Sequence, residues 1–512
     1  MSVEVDDVTR DGDAMDSTGL SGDSESRPSA DAILARLSEL RAGDAPTHGG
    51  HVLSYVYDSG LAELDELAGA AIAAMQPVNG LDPTTFGSVA VLEREVIDFM
   101  RDLLGAGPTA DAADDQGDRE VVGSVTTGGT ESCLLAVKTA RDLWRLGGGS
   151  GTPRLVAPVT VHAAFQKAAH YFGLDLDLVP VDPATGSCEP SAIIGRLGAD
   201  VALVVISAPS YPFAALDPVE QVAAAAADAG ISCHVDACIG GLALPFLPDL
   251  PPWDFRVRGV TSISADLHKY GYAPKGASVL LHRGRGRLGA QYFATTRWPG
   301  YPVVNPTMLG SRSAGPLAAA WAILHRLGRD GLARLAEDTM ASTRELLAVV
   351  ERIDGLRVIG SPVGPLFAVA SDPRADQGRQ VDPHHWADEL RALGWLVQLQ
   401  PSLRQGEEIL PHTTHLTVTP VTSRILPELS AAMVLAADRV RGIPAVDPLA
   451  AMAALGGDPA AVVDGPLPER MAPLIALIGA LPAETSEGLL TELLARLANP
   501  TRPSADPVLP GQ

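Results

Sequence analysis

Ser262-Ile-Ser-Ala-Asp-Leu-His-Lys-Tyr-Gly-Tyr-Ala-Pro-Lys-Gly276 is the stretch from which the rest of the chain can be read. It contains Lys269 and Lys275, and only four of the 38 basic residues are lysine, the other two being Lys138 and Lys167. A chain that meets nearly all its need for positive charge with Arg keeps Lys where Arg cannot serve. Arg stays charged, whereas Lys can shed its proton and attack a carbonyl. Lys269 follows His268 and runs into a Gly/Pro-punctuated turn, the kind of shaped loop on which functional groups concentrate. Burial beside an apolar or cationic surface would lower its pKa and favour that attack.

The common carbonyl partner of such a lysine is pyridoxal 5'-phosphate. That cofactor asks for three further features: a phosphate cradle, an acid opposite the pyridine nitrogen and a cover for the ring. Ser124-Val-Thr-Thr-Gly-Gly-Thr-Glu-Ser132 reads as a strand running into a helix. Gly129 lets the backbone approach an anion, and Thr130 is placed to cap a helix whose free N–H groups favour phosphate. His162 opens the helical stretch to Phe172 and can lie flat on a ring; Lys167, five residues on, is expected to be structural or a minor contributor. Ser232-Cys-His-Val-Asp-Ala-Cys238 puts Asp236 at the end of a buried strand, the sheet edge where ligands gather in open α/β folds. Ser264 and His268 stand close enough to Lys269 to help hold the phosphate. Each feature alone has an ordinary reading: a strand–helix turn, a capping His, a turn Asp, a surface lysine. Their order along one α/β region is the specific signal.

The composition agrees. The 512-residue chain, 46% hydrophobic, can bury a large core in two or three domains. A net charge of −24 argues against nucleic acid and against an anionic membrane surface as partners. Cys133, Cys188, Cys233 and Cys238 lack metal-ligand spacing; no metal is expected, and scattered thiols suit a reducing cytoplasm. No membrane span or signal peptide is expected. Residues 1–30 read as a disordered acidic tail and 31–120 as a helical segment with an acidic connection at Gly105–Arg119. Residues 121–315 alternate β-branched runs with helical stretches, a mainly parallel sheet. Residues 316–441 read as long helices and a smaller α+β unit, and 442–512 as a Pro/Ala-rich extension.

On these motifs the chain resembles the sphingosine-1-phosphate lyase branch of the group II pyridoxal-phosphate decarboxylase family. Thr127–Ser132, His162–Ala169, His234–Gly241, Ser262–Gly276 and Gly310-Ser-Arg312 match in order, over a span from about Tyr55 to about Arg441. The resemblance implies fold type I: an α/β protein with a seven-stranded-type, mainly parallel sheet in its large domain and a smaller α+β C-terminal domain. It implies Lys269 as the lysine bonded to pyridoxal 5'-phosphate, Asp236 on the pyridinium and His162 on the ring. It also implies a phosphate cup of Gly129, Thr130 and His268, with Gly310 and Ser311 supplied by a second copy in a homodimer. Asn79, Tyr57, Tyr211 and Lys275 match substrate-facing positions; apart from the resemblance, Arg312, Lys275 and Tyr57 are candidate polar clamps for the distal group of a decarboxylase substrate. Where these lyases carry Asn-Pro-Leu-His, the chain reads Asn79-Gly-Leu-Asp82; an Asp there would repel a phosphate. Val303 stands where they usually have Tyr. The expected activity is a carbon–carbon lyase, decarboxylating or aldehyde-forming, on a small amine. A catalytically silent cofactor-binding scaffold and an aminotransferase are the alternatives.

Overall fold

A computed structural model describes residues 28–106, 120–454 and 468–498. Most of the expected acidic tail and of the Gly105–Arg119 connection therefore lies outside the described residues. The chain divides into two compact units, residues 1–46 and 47–512. In the first, α1 (Ala30–Arg41) is capped by Ser29, whose hydroxyl accepts from Ala32 N, and buries none of its residues.

The second unit begins with α2 (Ala62–Met75) and α3 (Gly87–Leu103). It continues through β1 (Val121–Thr126), α4 (Gly129–Leu146), β2 (Arg154–Pro158), α5 (Ala163–Phe172), β3 (Asp175–Val179), α6 (Pro190–Ile194), β4 (Val201–Ser207), α7 (Val219–Asp228), β5 (Ser232–Asp236), β6 (Ser262–Asp266) and β7 (Ser278–Arg283). The seven strands form one sheet in the order β1-β7-β6-β5-β4-β2-β3. β7 runs antiparallel to both β6 and β1, and the pairs β6–β5, β5–β4, β4–β2 and β2–β3 are parallel. The sheet is mainly parallel, as expected, although β7 is not anticipated from the sequence.

Apart from the edge strand β3, its strands are buried on both faces, as helix-covered parallel strands must be. The two-residue strand period sends Leu203 and Val205 to one helix layer, with Val137 and Phe165. Val204 and Ile206 go to the other, with Val222 and Ala226. Each such side chain contributes about 1.5–3 kcal/mol by leaving water.

Beyond the sheet come α8 (Arg285–Gln291), the β8–β9 hairpin (Phe293–Thr295, Val303–Asn305) and α9 (Gly315–Arg352). α9 breaks at Gly328, whose φ of 58° suits glycine. Its first half packs Ala319 and Ile323 on Leu64 and Ala68 of α2; its second half carries Leu346, Val349 and Val350 into a separate core. That core belongs to a four-stranded antiparallel sheet of β10 (Leu356–Val358), β11 (Leu366–Ser371), β12 (Gln398–Gln400) and β15 (Thr413–Thr417). The small β13–β14 ribbon (Leu403–Gln405, Glu408–Leu410) precedes β15.

α10 (Pro383–Ala392) and α11 (Thr422–Val440) cover this sheet. The sequence held a signal for the unforeseen α10: Asp382 accepts from His384 N and His385 N, with Pro383 at the first helical position. Within the segment read as helical, Gly50–Ser59 is not helix and adds backbone to the small sheet. Leu53 N donates to Leu396 O and Thr417 N to Leu53 O, both at 2.8 Å. Asp388 accepts from Met471 N and Ala472 N and so docks the helix Ala472–Ala480 on α10; the helix Ala483–Ala498 follows. Among the described residues no helix is long and apolar enough to cross a membrane.

Candidate active site

The parallel sheet brings the C-terminal ends of β1, β2, β5 and β6 to one edge, and the expected residues follow those ends. Of these, Gly129, Thr130, His162, His268, Lys269 and Lys275 line a cavity of about 570 Å³ together with Lys167, whereas Asp236, Tyr57 and Tyr211 do not line it. Tyr270, next to Lys269, is buried; its hydroxyl donates to Val418 O and Pro365 O and ties the lysine loop to the small domain.

Lys269 Nζ lies 2.9 Å from Asp266 Oδ2, and Asp266 is 3% exposed. Asp266 also accepts from Ser278 Oγ at 2.6 Å and has His268 Nε2 at 3.7 Å. Burial by itself lowers the lysine pKa, but the adjacent Asp266 carboxylate outweighs it and holds Lys269 well above the usual amine range. The expected depression is therefore overturned: the side chain meets a buried anion rather than an apolar or cationic wall. Burial raises Asp266, yet Lys269 and His268 bring it below the ordinary carboxylate value. Burial lowers His268 more than Asp266 raises it. An acid three residues before the lysine is legible in the sequence; that it meets the amine is not.

The cradle differs in detail from expectation. The N-cap of α4 is Gly128, and Thr130 lies inside the helix, exposed, so it does not cap. No side chain caps α4; Glu131 instead ties the loops on either side of the cradle together. One oxygen accepts from Thr127 N and Thr127 Oγ1, and the other accepts from Met308 N at 2.7 Å. The first turn of a helix leaves its N–H groups without intrahelical acceptors, here those of Gly129 and Thr130. A Cβ on Gly129 would stand 2.5 Å from Asp266 Oδ1, so glycine is required for this carboxylate to approach the cradle.

His162 is the N-cap of α5, its Nδ1 accepting from Ala164 N. The capping role fixes the ring at the cavity wall rather than excluding it from the site. Asp236 ends β5, is 7% exposed, and accepts from Cys238 N at 3.0 Å and Ser264 Oγ at 3.4 Å. Ser264 is fully buried, 3.1 Å from His234 Nε2, and does not line the cavity. It supports the acid and is not placed to hold a phosphate. The unforeseen His234 behind it is pushed down to about 4, by burial against the opposing pull of Asp236.

Tyr57 packs edge-on against Tyr270, with ring centroids 5.3 Å apart. Tyr211 stacks on His415 and has its hydroxyl 3.4 Å from Ser54 Oγ. Burial raises both phenols against the pull of the Lys269 charge, which places both near that lysine. Asn79, Ser311 and Arg312 form a separate group: Asn79 Nδ2 donates to Ser311 Oγ, Arg312 N donates to Asn79 Oδ1, and Gly80 N donates to Arg312 O. Gly310 and Ser311 are exposed, and neither they nor Asn79 and Arg312 line the Lys269 cavity. Arg312 borders an adjacent hollow of about 240 Å³ that shares Thr127, Gly276 and Leu309 with it. Asp82 is held by Thr84 and Thr85, whose backbone and hydroxyl donors lower its pKa to about 2.

The remaining lysines are explained. Lys167 has its Nζ 5.3 Å from the Tyr171 ring centre. Lys138 Nζ donates to the carbonyls of Ala290, Gln291 and Tyr292 and pairs with Asp142, a task for a compact three-donor ammonium.

A glycine-opened helix N-terminus, a lysine on the adjacent loop, a buried acid at a neighbouring strand end and a His on the wall fit pyridoxal phosphate. Fold and site together define a fold type I pyridoxal-phosphate-dependent protein. The chain belongs to the pyridoxal-dependent decarboxylase family: the model of that conserved domain matches residues 47–359. A second model, for a candidate HTH domain at the C-terminus of pyridoxal-dependent enzymes, matches residues 427–496. The chain is 37% identical over 343 residues to the sphingosine-1-phosphate lyase of Dictyostelium discoideum, 66% of this chain and 61% of that one. It is 32% identical over 468 residues to that of Oryza sativa subsp. japonica, 90% of this chain and 78% of that one. It thus spans about three fifths of the first of these relatives. The solved sphingosine-1-phosphate lyase of Burkholderia pseudomallei superposes with a TM-score of 0.75 at 32% identity, over 83% of this chain and 93% of that one.

Proposed function

We propose that the chain is a pyridoxal-phosphate-dependent carbon–carbon lyase acting on a small amine that carries an anionic group, as a homodimer in the cytoplasm. One observation carries the substrate class. Three of the four lysines, Lys167, Lys269 and Lys275, line a single cavity in a chain of net charge −24. Cations in a walled cleft concentrate an anionic substrate.

Lys269 is the residue that would hold the cofactor, with the N–H groups of Gly129 and Thr130 and the His268 ring around its phosphate. Asp236 would offer an anion to the ring nitrogen, and His162 would cover the ring face. When bound, pyridoxal phosphate supplies an electron sink for the pair released as a bond to the amine-bearing carbon breaks. Lys275 and Lys167 orient the anionic end of the substrate, and orientation selects which bond breaks. Asp266, 2.9 Å from Lys269 Nζ, stabilises a proton held there. The relatives' names favour cleavage of a phosphorylated amino alcohol to an aldehyde. Asp82, in place of a phosphate-facing His, favours decarboxylation of an amino acid.

The homodimer reading is supported by Asn79, Gly310 and Ser311, which lie off their own chain's cavity, and by the exposed Trp298 and Tyr301 between β8 and β9 and the exposed Met308 after β9. A chain that sediments as a monomer would refute it. Four free thiols suit the cytoplasm.

The test starts with borohydride reduction of the cofactor-loaded chain, which should leave a pyridoxyl adduct on Lys269 that is lost in Lys269→Ala. Phosphorylated amino alcohols and amino acids are then scored for aldehyde and carbon dioxide. Either product supports a lyase and names its branch. An adduct with neither product would point to a scaffold, or to an aminotransferase if keto acids accept the amine.

A further inference from the structure

Two cysteines far apart in the sequence meet in the cavity. Cys133, on the first turns of α4, and Cys238, two residues past Asp236, both line it. Their Sγ atoms and an Asp236 carboxylate oxygen all lie within 4.8 Å of one another, the one such cluster of His, Cys, Asp and Glu donors among the described residues. Cys133 is 1% exposed and Asp236 7%. Behind them Ser264 Oγ stands 3.5 Å from Cys238 Sγ and 3.4 Å from Asp236 Oδ1, and Cys238 N donates to Asp236. The cofactor chemistry uses the carboxylate but neither thiol.

Two sulfurs and one carboxylate suit a borderline-soft cation and not magnesium or calcium, which take oxygen ligands. A tetrahedral zinc site, with bonds of about 2.3 Å to sulfur and about 2.0–2.2 Å to oxygen, sets its donors roughly 3.4–3.8 Å apart. Side-chain adjustments of about 1 Å would close the trio to that spacing. Cys133 and Cys238 both line the cavity, from which a water would complete the fourth position. One divalent cation enters and two thiol protons leave.

We propose that, in the cofactor-free chain, Cys133, Cys238 and Asp236 form a site for a thiophilic divalent cation of the zinc–cadmium class. Cation and pyridoxal phosphate exclude each other, because both require Asp236. The exclusion rests on the cofactor reading above, whereas cation binding does not.

The experiment uses the full chain stripped of cofactor and titrated with cadmium. Bound metal is counted by atomic spectroscopy after equilibrium dialysis, and thiolate ligation is read from ultraviolet charge-transfer absorbance. The expected result is one cadmium per chain with thiolate absorbance, at least tenfold weaker binding in Cys133→Ser and in Cys238→Ser, and release of the metal by pyridoxal phosphate. The borohydride adduct on Lys269 in both variants confirms that the pocket is folded, and its loss from the wild type would refute the cofactor reading separately. Cadmium binding unchanged in the Cys133→Ser/Cys238→Ser chain, or absent from the wild type, would overturn the site. Equal binding by cofactor-loaded and stripped chains would overturn the exclusion.

Discussion

Replacing Asp266 by Asn should speed the loading of cofactor onto Lys269. Only the neutral amine attacks an aldehyde, and in the cofactor-free chain Asp266 keeps Lys269 protonated from 2.9 Å. Asn preserves the shape and removes the charge. What then remains is burial, which works against the ammonium. Breaking a buried ion pair by removing one partner costs about 3–5 kcal/mol, and about 1.4 kcal/mol is a factor of ten. Even half of the lower figure raises the neutral fraction roughly tenfold at fixed pH.

The pH dependence follows with its sign. Below a raised lysine pKa the neutral fraction grows about tenfold per pH unit, so wild-type loading should accelerate from pH 7 to pH 9. Stability runs the other way. The Lys269 contribution is present below the ordinary lysine value of 10.5 and is lost as pH rises through its raised folded value. The Asp266 contribution is present above 3.8 and is lost as pH falls through its lowered folded value. The assay is stopped-flow absorbance of cofactor mixed with stripped protein, beside urea denaturation of the same samples. A wild-type rate flat from pH 7 to pH 9, or an Asp266→Asn chain that loads no faster at pH 7, would refute the reasoning.

Two other substitutions probe the scaffold. Gly129→Ala drives a methyl to within 2.5 Å of Asp266 Oδ1; overpacking of about 1–3 kcal/mol should appear in urea denaturation, together with weaker cofactor binding by absorbance titration. Lys138→Arg replaces a compact ammonium bound to three carbonyls with a planar fork that cannot reproduce that geometry. A loss of about 1–3 kcal/mol is expected by thermal or urea denaturation, with the Lys269 adduct retained.

Much of this site can be read locally. Lysine scarcity singles out Lys269, the Gly-Gly-Thr turn marks the anion-binding helix start, and a strand ending in Asp236 marks the sheet edge. These signals survive because each depends on a few neighbouring residues. Where the sequence reading erred, the partner came from elsewhere in the fold. Thr130 has the residue type of a cap, yet Gly128 is the N-cap and no side chain caps α4, while the neighbouring Glu131 is drawn to the distant N–H groups of Met308 and Leu309. Ser264 looked like a phosphate ligand, but the strand period turned it inward to His234 and Asp236.

The sequence by itself determined the alternating α/β order, the cofactor lysine and the glycine cradle, since chain periodicity and backbone freedom are local properties. Only the tertiary structure decided the sign of the Lys269 shift and the meeting of Cys133 with Cys238. Both depend on which groups share a buried space, and electrostatic coupling there grows steeply as separation and local dielectric fall, quantities that exist only once distant strands and helices have packed.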